Sequence, residues 1–382
     1  MRCVIIARIP APYRLHLYDA LARELASRGH QLHVIYSGTS EYGRYWEVDL
    51  SKAHFTFEVL PGWYFRVGGV NLRVNRFVGA RLDAAAPDAV VVGNYLQPTS
   101  QMAKRWCHRR GVPSLLWHES NPLSSRHRGV ASRLTRRLLM RGFDGVVVPG
   151  DGALASLRDA GIRVHEDRTI VVPNVIDEKR FVESVKMTGS RRDEIRESLA
   201  VSPDLQLWLM VCRLEREKGV RGFIDELKNV EGVVCLVAGT GSLYDALIRA
   251  SREARLPVRF LGHKTEDEIV ELLAAADCFV LPSIRDPSPL AAVEAVAAGL
   301  PLLMSTRVGN VWDVLIEGVN GHAFDPGNPS SVKHAIEAML SHDHSDLFEM
   351  GCASRERHQE AFSTAMTASR FADGLEAIAN LR

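Results

Sequence analysis

The 382-residue sequence lacks any apolar run of the roughly 20 residues that a helix needs to cross a bilayer. It also lacks a C-x-x-C pair, since its six cysteines are scattered and four lie in strand-like apolar runs. Buried, reduced thiols are therefore expected, and disulfides or a zinc site are not. Residues 1–9 read as a short strand and not as a signal peptide, so we expect a cytosolic protein.

Net charge is also nearly absent, at +1, but the charged residues are unevenly distributed. Residues 1–180 hold 26 Lys and Arg against 16 Asp and Glu, whereas the remainder holds 21 against 30. A basic first half suggests an anionic partner, such as nucleic acid, a phosphorylated lipid or a membrane surface. No helix-turn-helix, zinc pattern or aromatic-interleaved strand supports nucleic acid.

Continuous apolar strands alternate with helices along most of the chain, a pattern that predicts parallel sheets covered on both faces. The fold class is therefore α/β, with doubly wound, Rossmann-like domains over residues 1–180 and 181–365. The stretch 181–204 loses its periodicity, which predicts a hinge region with a short helix over 192–199. Residues 366–382 are expected to form a C-terminal helix that can pack back on the first domain.

Two such sheets in tandem place a cleft between their carboxyl edges, where a nucleotide could bind. Towards the C-terminus, helices are predicted over residues 330–340 and 362–380.

Charged residues and glycines follow three predicted strands of the second half. Arg213 and Lys218 run from a strand end into a helix start, an arrangement that suits a diphosphate. Asp286 lies on a proline-rich turn and Glu294 about one turn inside the next helix. The pair Gly239 and Gly241 permits close backbone approach after a strand. Each segment also has an ordinary explanation, as a common βα connection, a solvated charged turn, or a lone G-x-G without the rest of a dinucleotide fingerprint.

The order of these segments resembles the C-terminal half of glycosyltransferase family 4. The resemblance is dense over residues 207–326 and thinner before them, where it rests on the first βαβ and on 117–119 and 172–177. The segments that carry it are Arg213 with Lys218, Gly239-x-Gly241, 258–262, 274–283, Asp286-x7-Glu294 and 297–301. It implies the GT-B architecture, with an acceptor-side first domain facing a donor domain that binds a nucleotide-diphosphate sugar.

The resemblance also implies roles for individual residues. Arg213 and Lys218 would neutralise the donor diphosphate, whose charge grows in the transition state. Glu294 would accept hydrogen bonds from the ribose hydroxyls, and Asp286 would lie beside the donor sugar. His118 would contact that sugar from the first domain, although a satisfied core or surface histidine is the commoner explanation of a single histidine.

Further donor contacts are expected from Gly239 and Gly241, from the N–H of Leu290 and from the backbone around His263. Backbone groups carry little information about the base they bind, so the donor could be a UDP, GDP or ADP sugar. The sequence departs from the family in having Asp286 where Glu is usual and Ser288-Pro289 where Phe-Gly is usual. Its first loop is Pro10-Ala11-Pro12-Tyr13-Arg14, where the family is commonly glycine-rich. Pro289 cannot donate a backbone N–H, so the orientation of the donor sugar is the point most affected.

The family chemistry implied is transfer with retention, with the acceptor hydroxyl attacking on the face that the diphosphate leaves. The sequence has no Asp-x-Asp, so no metal is expected to bridge the diphosphate, and no cofactor is expected.

A predicted helix of the first half carries a basic stripe, Arg126, Arg133, Arg137 and Arg141, beside the apolar residues Val130, Leu134 and Leu138. This is the pattern of an interfacial helix on an anionic membrane, and equally of a core-packed helix with a solvated basic face.

The function expected is transfer of a hexose-type sugar to a glycan or lipid-linked acceptor in bacterial-type surface polysaccharide or glycolipid synthesis, at the inner face of the membrane. The alternatives are a sugar-nucleotide 2-epimerase, which shares the two-domain architecture, and a non-catalytic nucleotide-sugar-binding protein.

Overall fold

The computed structural model describes residues 1–42, 48–67, 70–120 and 130–380. It divides the chain into two compact units, one formed by residues 1–175 with 364–382 and the other by residues 176–363.

Strands and helices alternate through most of the first unit. Its strands are β1 (Arg2–Ala7), β2 (Gln31–Tyr36), β3 (Thr56–Val59), β4 (Trp63–Val67), β5 (Val70–Val74), β6 (Ala89–Gly93), β7 (Ser114–Trp117), β8 (Gly145–Val148) and β9 (Thr169–Val171). Its helices in this part of the chain are α1 (Pro12–Ser27), α2 (Val78–Ala85), α3 (Pro98–Arg110), α4 (Val130–Met140) and α5 (Asp151–Asp159).

The second unit begins with two helices and then alternates in the same way. Its elements are α6 (Glu178–Gly189), α7 (Arg192–Ser198), β10 (Gln206–Val211), α8 (Val220–Asp225), β11 (Val233–Ala238), α9 (Tyr244–Glu253), β12 (Val258–Gly262), α10 (Glu266–Ala275), β13 (Cys278–Leu281), α11 (Leu290–Ala298), β14 (Leu302–Ser305), α12 (Val311–Val314), β15 (Gly321–Phe324), α13 (Pro329–Leu340) and α14 (His344–Phe362). The final helix, α15 (Thr364–Ala379), belongs to the first unit.

Each unit is built on a parallel sheet. Among the described residues, the first sheet has the order β3-β2-β1-β6-β7-β8-β9 and the second the order β12-β11-β10-β13-β14-β15. Both orders reverse direction beside their first strand, as in doubly wound folds. The predicted pair of parallel α/β sheets is thus confirmed. The hairpin of β4 and β5 and the last strand, β15, were not predicted from the sequence.

The continuous apolar strands are explained by burial on both faces. In β1, Cys3 and Ile5 pack with α1, whereas Val4 and Ile6 pack on the opposite face with α2 and α3. Alternate residues of a strand point to opposite faces, so a strand covered on both sides needs apolar residues throughout.

The C-terminal helix packs on the first unit's sheet. Phe371 of α15 makes an edge-to-face contact with Trp117, with ring centroids 5.4 Å apart. Arg28, just past α1, donates to Asp373 at 2.6 Å. A Cβ on Gly374 would lie 2.6 Å from Ile170, so this glycine lets α15 approach β9 closely.

Within the stretch 181–204, the predicted short helix over 192–199 is confirmed as α7, whereas α6 was not predicted; both helices pack against α10. Arg192 and Arg196 of α7 both form ion pairs with the buried Asp277, the second with Nη1 2.8 Å from Oδ2. Asp277 also accepts from the backbone N–H of Leu207 at 2.6 Å. Periodicity faded here because charged side chains, and not an apolar stripe, hold α7 to the sheet.

A second difference lies near the C-terminus, where α14 fills the gap left between the two predicted helices. Its buried residues lie on one helical stripe, but Gly351, Ser354 and His358 in that stripe are not apolar, so the amphipathic pattern is weak. The structure describes all six cysteines, and none of them is in a disulfide. Within the described part of the chain, no helix has the length and apolarity needed to traverse a lipid bilayer.

Candidate active site

The carboxyl edge of the second sheet gathers most of the predicted donor-site residues. Strands β10 and β13 are neighbours at the point where the strand order reverses, the usual ligand position in open α/β sheets. Arg213 and Lys218 follow β10, and Asp286 follows β13.

Backbone contacts hold these two loops together. The N–H groups of Ile284 and Arg285 both donate to the carbonyl of Glu217, at 2.9 and 3.1 Å. Gly219 has a φ of +67°, and a Cβ there would lie 2.1 Å from the carbonyl oxygen of Pro282. Only glycine therefore lets the turn at residues 216–218 lie directly against the loop after β13.

This packing brings Lys218 and Asp286 into a direct ion pair, with Nζ 2.5 Å from Oδ2. Asp286 is buried and Lys218 is partly buried. The ammonium carries three N–H donors, so the pair fixes its position and leaves capacity for a further acceptor. Arg213 is different, because its side chain is 70% exposed and lies 3.7 Å from Glu217. It offers a solvated cation at the same edge.

The two glycines after β11 serve loop packing. A Cβ on Gly239, whose φ is +136°, would lie 1.9 Å from the carbonyl oxygen of Cys212. A Cβ on Gly241 would lie 2.5 Å from that of Leu214. The sequence pattern indicated that another group approaches the backbone of these glycines closely. In the structure that group is the backbone of the loop that carries Arg213.

Glu215 was not singled out from the sequence, but it joins these same loops. Its carboxylate accepts from the backbone N–H and the hydroxyl of Ser242, at 3.1 and 2.6 Å. These hydrogen bonds lower the pKa of Glu215. A single acid in a charged turn carries no sequence signal that would reveal such a partner.

Helix α11 presents its N-terminus at this edge. Pro289 is the N-cap and provides no side-chain cap, so the first N–H groups, including that of Leu290, are open to an acceptor. Glu294 is partly buried one turn further on, and among the described residues its carboxyl has no hydrogen-bond or ion-pair partner. Burial, reinforced by the charge of Glu266, raises the pKa of Glu294 to about 7.

His263 directly follows β12, at the same edge, and is exposed. Its neighbour Lys264 is paired with Glu268 at 2.6 Å. Gly262, with a φ of +72°, lets the chain turn away from the strand there.

His118 lies in the first unit, directly after β7, and is only 3% exposed. Its Nε2 is 3.2 Å from the hydroxyl of Ser156, and its backbone N–H donates to Val147 at 2.8 Å. Burial and the charge of Arg136 lower the pKa of His118 to about 4, so the imidazole is neutral at ordinary pH. It can position or hydrogen-bond a neutral group, but it does not supply a cation.

Arg14 is a further residue at the carboxyl edge of the first sheet, and the sequence assigned it no role. Arg14 is only 7% exposed, and its guanidinium stacks over Trp117, 4.0 Å from the ring centroid. It forms an ion pair with Glu119, and its buried Nη1 has no hydrogen-bond partner in the described part of the chain. The sequence placed Arg14 in the stiff loop after β1, whereas the structure places it in the first turn of α1, buried against a residue 103 positions away.

Two doubly wound units, each built on a parallel sheet, form the architecture found in GT-B glycosyltransferases. The chain belongs to the family 4 and group 1 glycosyltransferases. Residues 17–180 match the model described as Glycosyltransferase Family 4, and residues 191–357 match that described as Glycosyl transferases group 1. The family predicted from the sequence is thereby confirmed.

Individual relatives agree with this family. An uncharacterized glycosyltransferase of Methanocaldococcus jannaschii is 30% identical over 181 residues, 46% of each chain. The glycogen synthase of Mycobacterium tuberculosis is 37% identical over 138 residues, 35% of this chain and 33% of its own. The matches thus span a third to a half of these relatives. Anabaena HepE in complex with UDP and glucose aligns with a TM-score of 0.73 at 18% identity, over 98% of this chain and 99% of its own, and shows a shared fold.

Proposed function

We propose that the protein is a retaining glycosyltransferase that moves a hexose-type sugar from a nucleotide-diphosphate sugar to a hydroxyl group of its acceptor. The observation that carries this proposal is the joining of Lys218, Asp286 and the uncapped N-terminus of α11 at one sheet edge. A cation and open N–H groups together favour a diphosphate.

In this proposal Lys218 and Arg213 stabilise the charge that grows on the departing diphosphate. The bond from the anomeric carbon to the diphosphate oxygen breaks, and the acceptor oxygen bonds to that carbon on the same face. The acceptor proton passes to an oxygen of the departing phosphate. Glu294 holds the ribose, and Asp286 both orients Lys218 and lies near the sugar.

Donor identity is tested first by thermal shift with UDP, GDP and ADP, because a ligand that binds the folded state stabilises it by a few kcal/mol at saturating excess. We begin with UDP, which was bound in the structure of Anabaena HepE. The anomeric configuration of the transfer product is then read by NMR, and an inverted anomer would refute the retaining mechanism. Incubation with donor alone is the control, because an epimerase would convert the donor without any acceptor.

Metal independence is part of the proposal, since Lys218, Arg213 and the helix N-terminus provide positive charge at the expected diphosphate position. Transfer should continue at its full rate in excess EDTA. A rate that falls with EDTA and recovers with added Mg²⁺ or Mn²⁺ would show that a metal carries part of that charge.

We further propose that the acceptor is a glycan or lipid-linked glycan at a membrane, in surface polysaccharide or glycolipid synthesis. Leu134 and Leu138 of α4 are 60% and 72% exposed, and Arg133 and Arg137 lie beside them on the same helix. Arg141 directly follows the helix, whereas Arg126 lies outside the described residues. Exposed leucines next to exposed arginines support an interfacial helix over a core-packed one.

Sedimentation with vesicles tests this surface. The protein should bind vesicles containing phosphatidylglycerol at low salt and bind neutral phosphatidylcholine vesicles more weakly. The double variant Leu134→Ser with Leu138→Ser should lose most of the binding. Exposed leucines contribute little to the fold, so the melting temperature of this variant should equal that of the wild type, which serves as the control. Vesicle binding that is unchanged in the variant would refute the assignment of the membrane surface to α4.

A further inference from the structure

Arg137 and Arg141 of the basic stripe also line a cavity of the first unit, at the edge of the sheet opposite to the carboxyl edge. This cavity of about 480 Å³ opens where β8 begins, between the C-terminal end of α4, the loop after α5 and the short turn before β9. Its volume is in the range of small-molecule sites. The arginines that line it are Arg137, Arg141, Arg163 and Arg168, and His165 lies among them.

Acidic side chains do not balance these cations. Asp144, the one acidic residue of the described lining, accepts from the backbone N–H and hydroxyl of Ser114, at 2.9 and 3.2 Å. Arg168 has a loose contact of 3.8 Å with its neighbour Asp167, both side chains being exposed. For Arg137, Arg141 and Arg163, no acidic partner lies within 4 Å in the described part of the chain. Uncompensated arginines around one cavity favour an anion inside it.

The helix end explains only part of this cluster. Cations are favoured at the C-terminus of α4, which accounts for Arg137 and Arg141. It does not account for Arg163 and Arg168, which come from two other segments. The glycine at position 161, with a φ of +73°, lets the loop after α5 lie against Arg137, whose Cδ and Nε would be 3.7 Å from a Cβ at that glycine. The loop therefore brings Arg163 to the same cavity as α4.

From this geometry we infer that the cavity is an anion site that binds a phosphate group, and that the phosphate is that of an anionic phospholipid headgroup. Guanidinium groups bind phosphate through paired, charge-assisted hydrogen bonds. The lipid source is favoured because the exposed Leu134 and Leu138 lie on α4, the helix that also contributes Arg137 to the cavity. The site is separate from the donor edge and acts in docking, with no part in the sugar-transfer chemistry.

The test uses the full chain and the double variant Arg163→Ala with Arg168→Ala, which leaves α4 intact. The matched control is Arg105→Ala with Arg109→Ala, two exposed arginines of α3 that remove the same charge outside the cavity. Binding of dioctanoyl phosphatidic acid below its micellar concentration is measured by calorimetry, with glycerol 3-phosphate and inorganic phosphate as soluble comparisons.

We expect the cavity variant to bind the short-chain lipid at least about tenfold more weakly, and the control variant to bind it as the wild type does. If both variants bind the lipid equally weakly, overall charge explains the effect and the proposed site is refuted. The site is also refuted if the wild type does not bind the lipid. Soluble phosphates that bind as tightly as the lipid would keep the anion site and overturn its assignment to a lipid. Transfer to a soluble acceptor should be unchanged in the cavity variant, so failure here is distinguishable from failure of the proposed reaction.

Discussion

Glu294 offers the sharpest test of the donor site, because its carboxyl is unfavourably placed in the free protein. Burial and the charge of Glu266 raise its pKa from an ordinary 4.5 to about 7. Because folding raises the pKa of this carboxyl, the protein keeps its full free energy of unfolding at low pH. It loses part of that free energy as the pH rises towards and through the folded-state pKa. The substitution Glu294→Gln should therefore stabilise the free protein, and increasingly so at higher pH.

The magnitude follows from that pKa. A pKa change from 4.5 to about 7 corresponds to a destabilisation of the folded protein by about 3 kcal/mol above neutral pH. Because the side chain is partly exposed, we reduce this destabilisation to about 2 kcal/mol. The gain should be below about 1 kcal/mol at pH 5, where the folded carboxyl is still protonated. For a unit of this size, the gain at pH 8 raises the melting temperature by about 4–8 °C.

Nucleotide binding should change in the opposite direction. Hydroxyl donors of a ribose stabilise the ionised carboxylate, so binding releases a proton and wild-type affinity should rise about tenfold from pH 6 to pH 8. In Glu294→Gln the affinity should fall by about 10- to 100-fold, since hydrogen bonds to a charged group are lost. Its pH dependence should shrink to that of the nucleotide phosphate alone, which titrates near pH 6.

The assay combines melting curves of both proteins from pH 5 to pH 8 with calorimetric titration of the nucleotide diphosphate identified by thermal shift. A variant that is less stable than the wild type at pH 8, or one that binds nucleotide equally well with the same pH dependence, would refute this account of Glu294.

Three further predictions concern the packing of the second unit. Lys218→Met should weaken nucleotide binding at least about tenfold and destabilise the unit by about 3 kcal/mol, because it removes the cation that compensates the buried carboxylate of Asp286. Adding Asp286→Asn should restore stability in urea unfolding and leave binding weak; recovery of binding would contradict the role of the lysine. Gly239→Ala should cost well over 1 kcal/mol and disturb nucleotide binding, since a Cβ would lie 1.9 Å from a carbonyl oxygen. The control is Gly232→Ala, where φ is +80° and the space around the Cβ position is open. Thermal unfolding of both variants should show that this control lowers the free energy of unfolding by only about 1 kcal/mol. Asp277→Asn should destabilise by about 3–5 kcal/mol in urea unfolding, because two arginines of α7 lose their buried partner, and a loss below 1 kcal/mol would show that the network is not structural.

Much of the fold could be predicted because its signals are local. Continuous apolar runs identified the strands β1 and β11, each bounded by polar turns, and their alternation with helices required a parallel sheet. The short helix α7 was predicted, but α6 and α14 were missed. In α14 the buried residues follow a regular helical stripe, but Gly351, Ser354 and His358 within it are not apolar, so the stripe gives little hydrophobic signal. In these segments the stabilising contacts come from distant parts of the chain, which a local pattern does not record.

The candidate site divides in the same way. The sequence by itself determined the residue types after each strand, the order of the loops and the family, because these depend on spacing along the chain. Only the tertiary structure decided that Lys218 meets Asp286, that the two glycines after β11 face a neighbouring loop, and that Arg14 is buried over Trp117. It also decided that Arg163 joins the arginines of α4. A parallel sheet aligns the ends of strands that are far apart in sequence, so such pairings exist only once the sheet has formed.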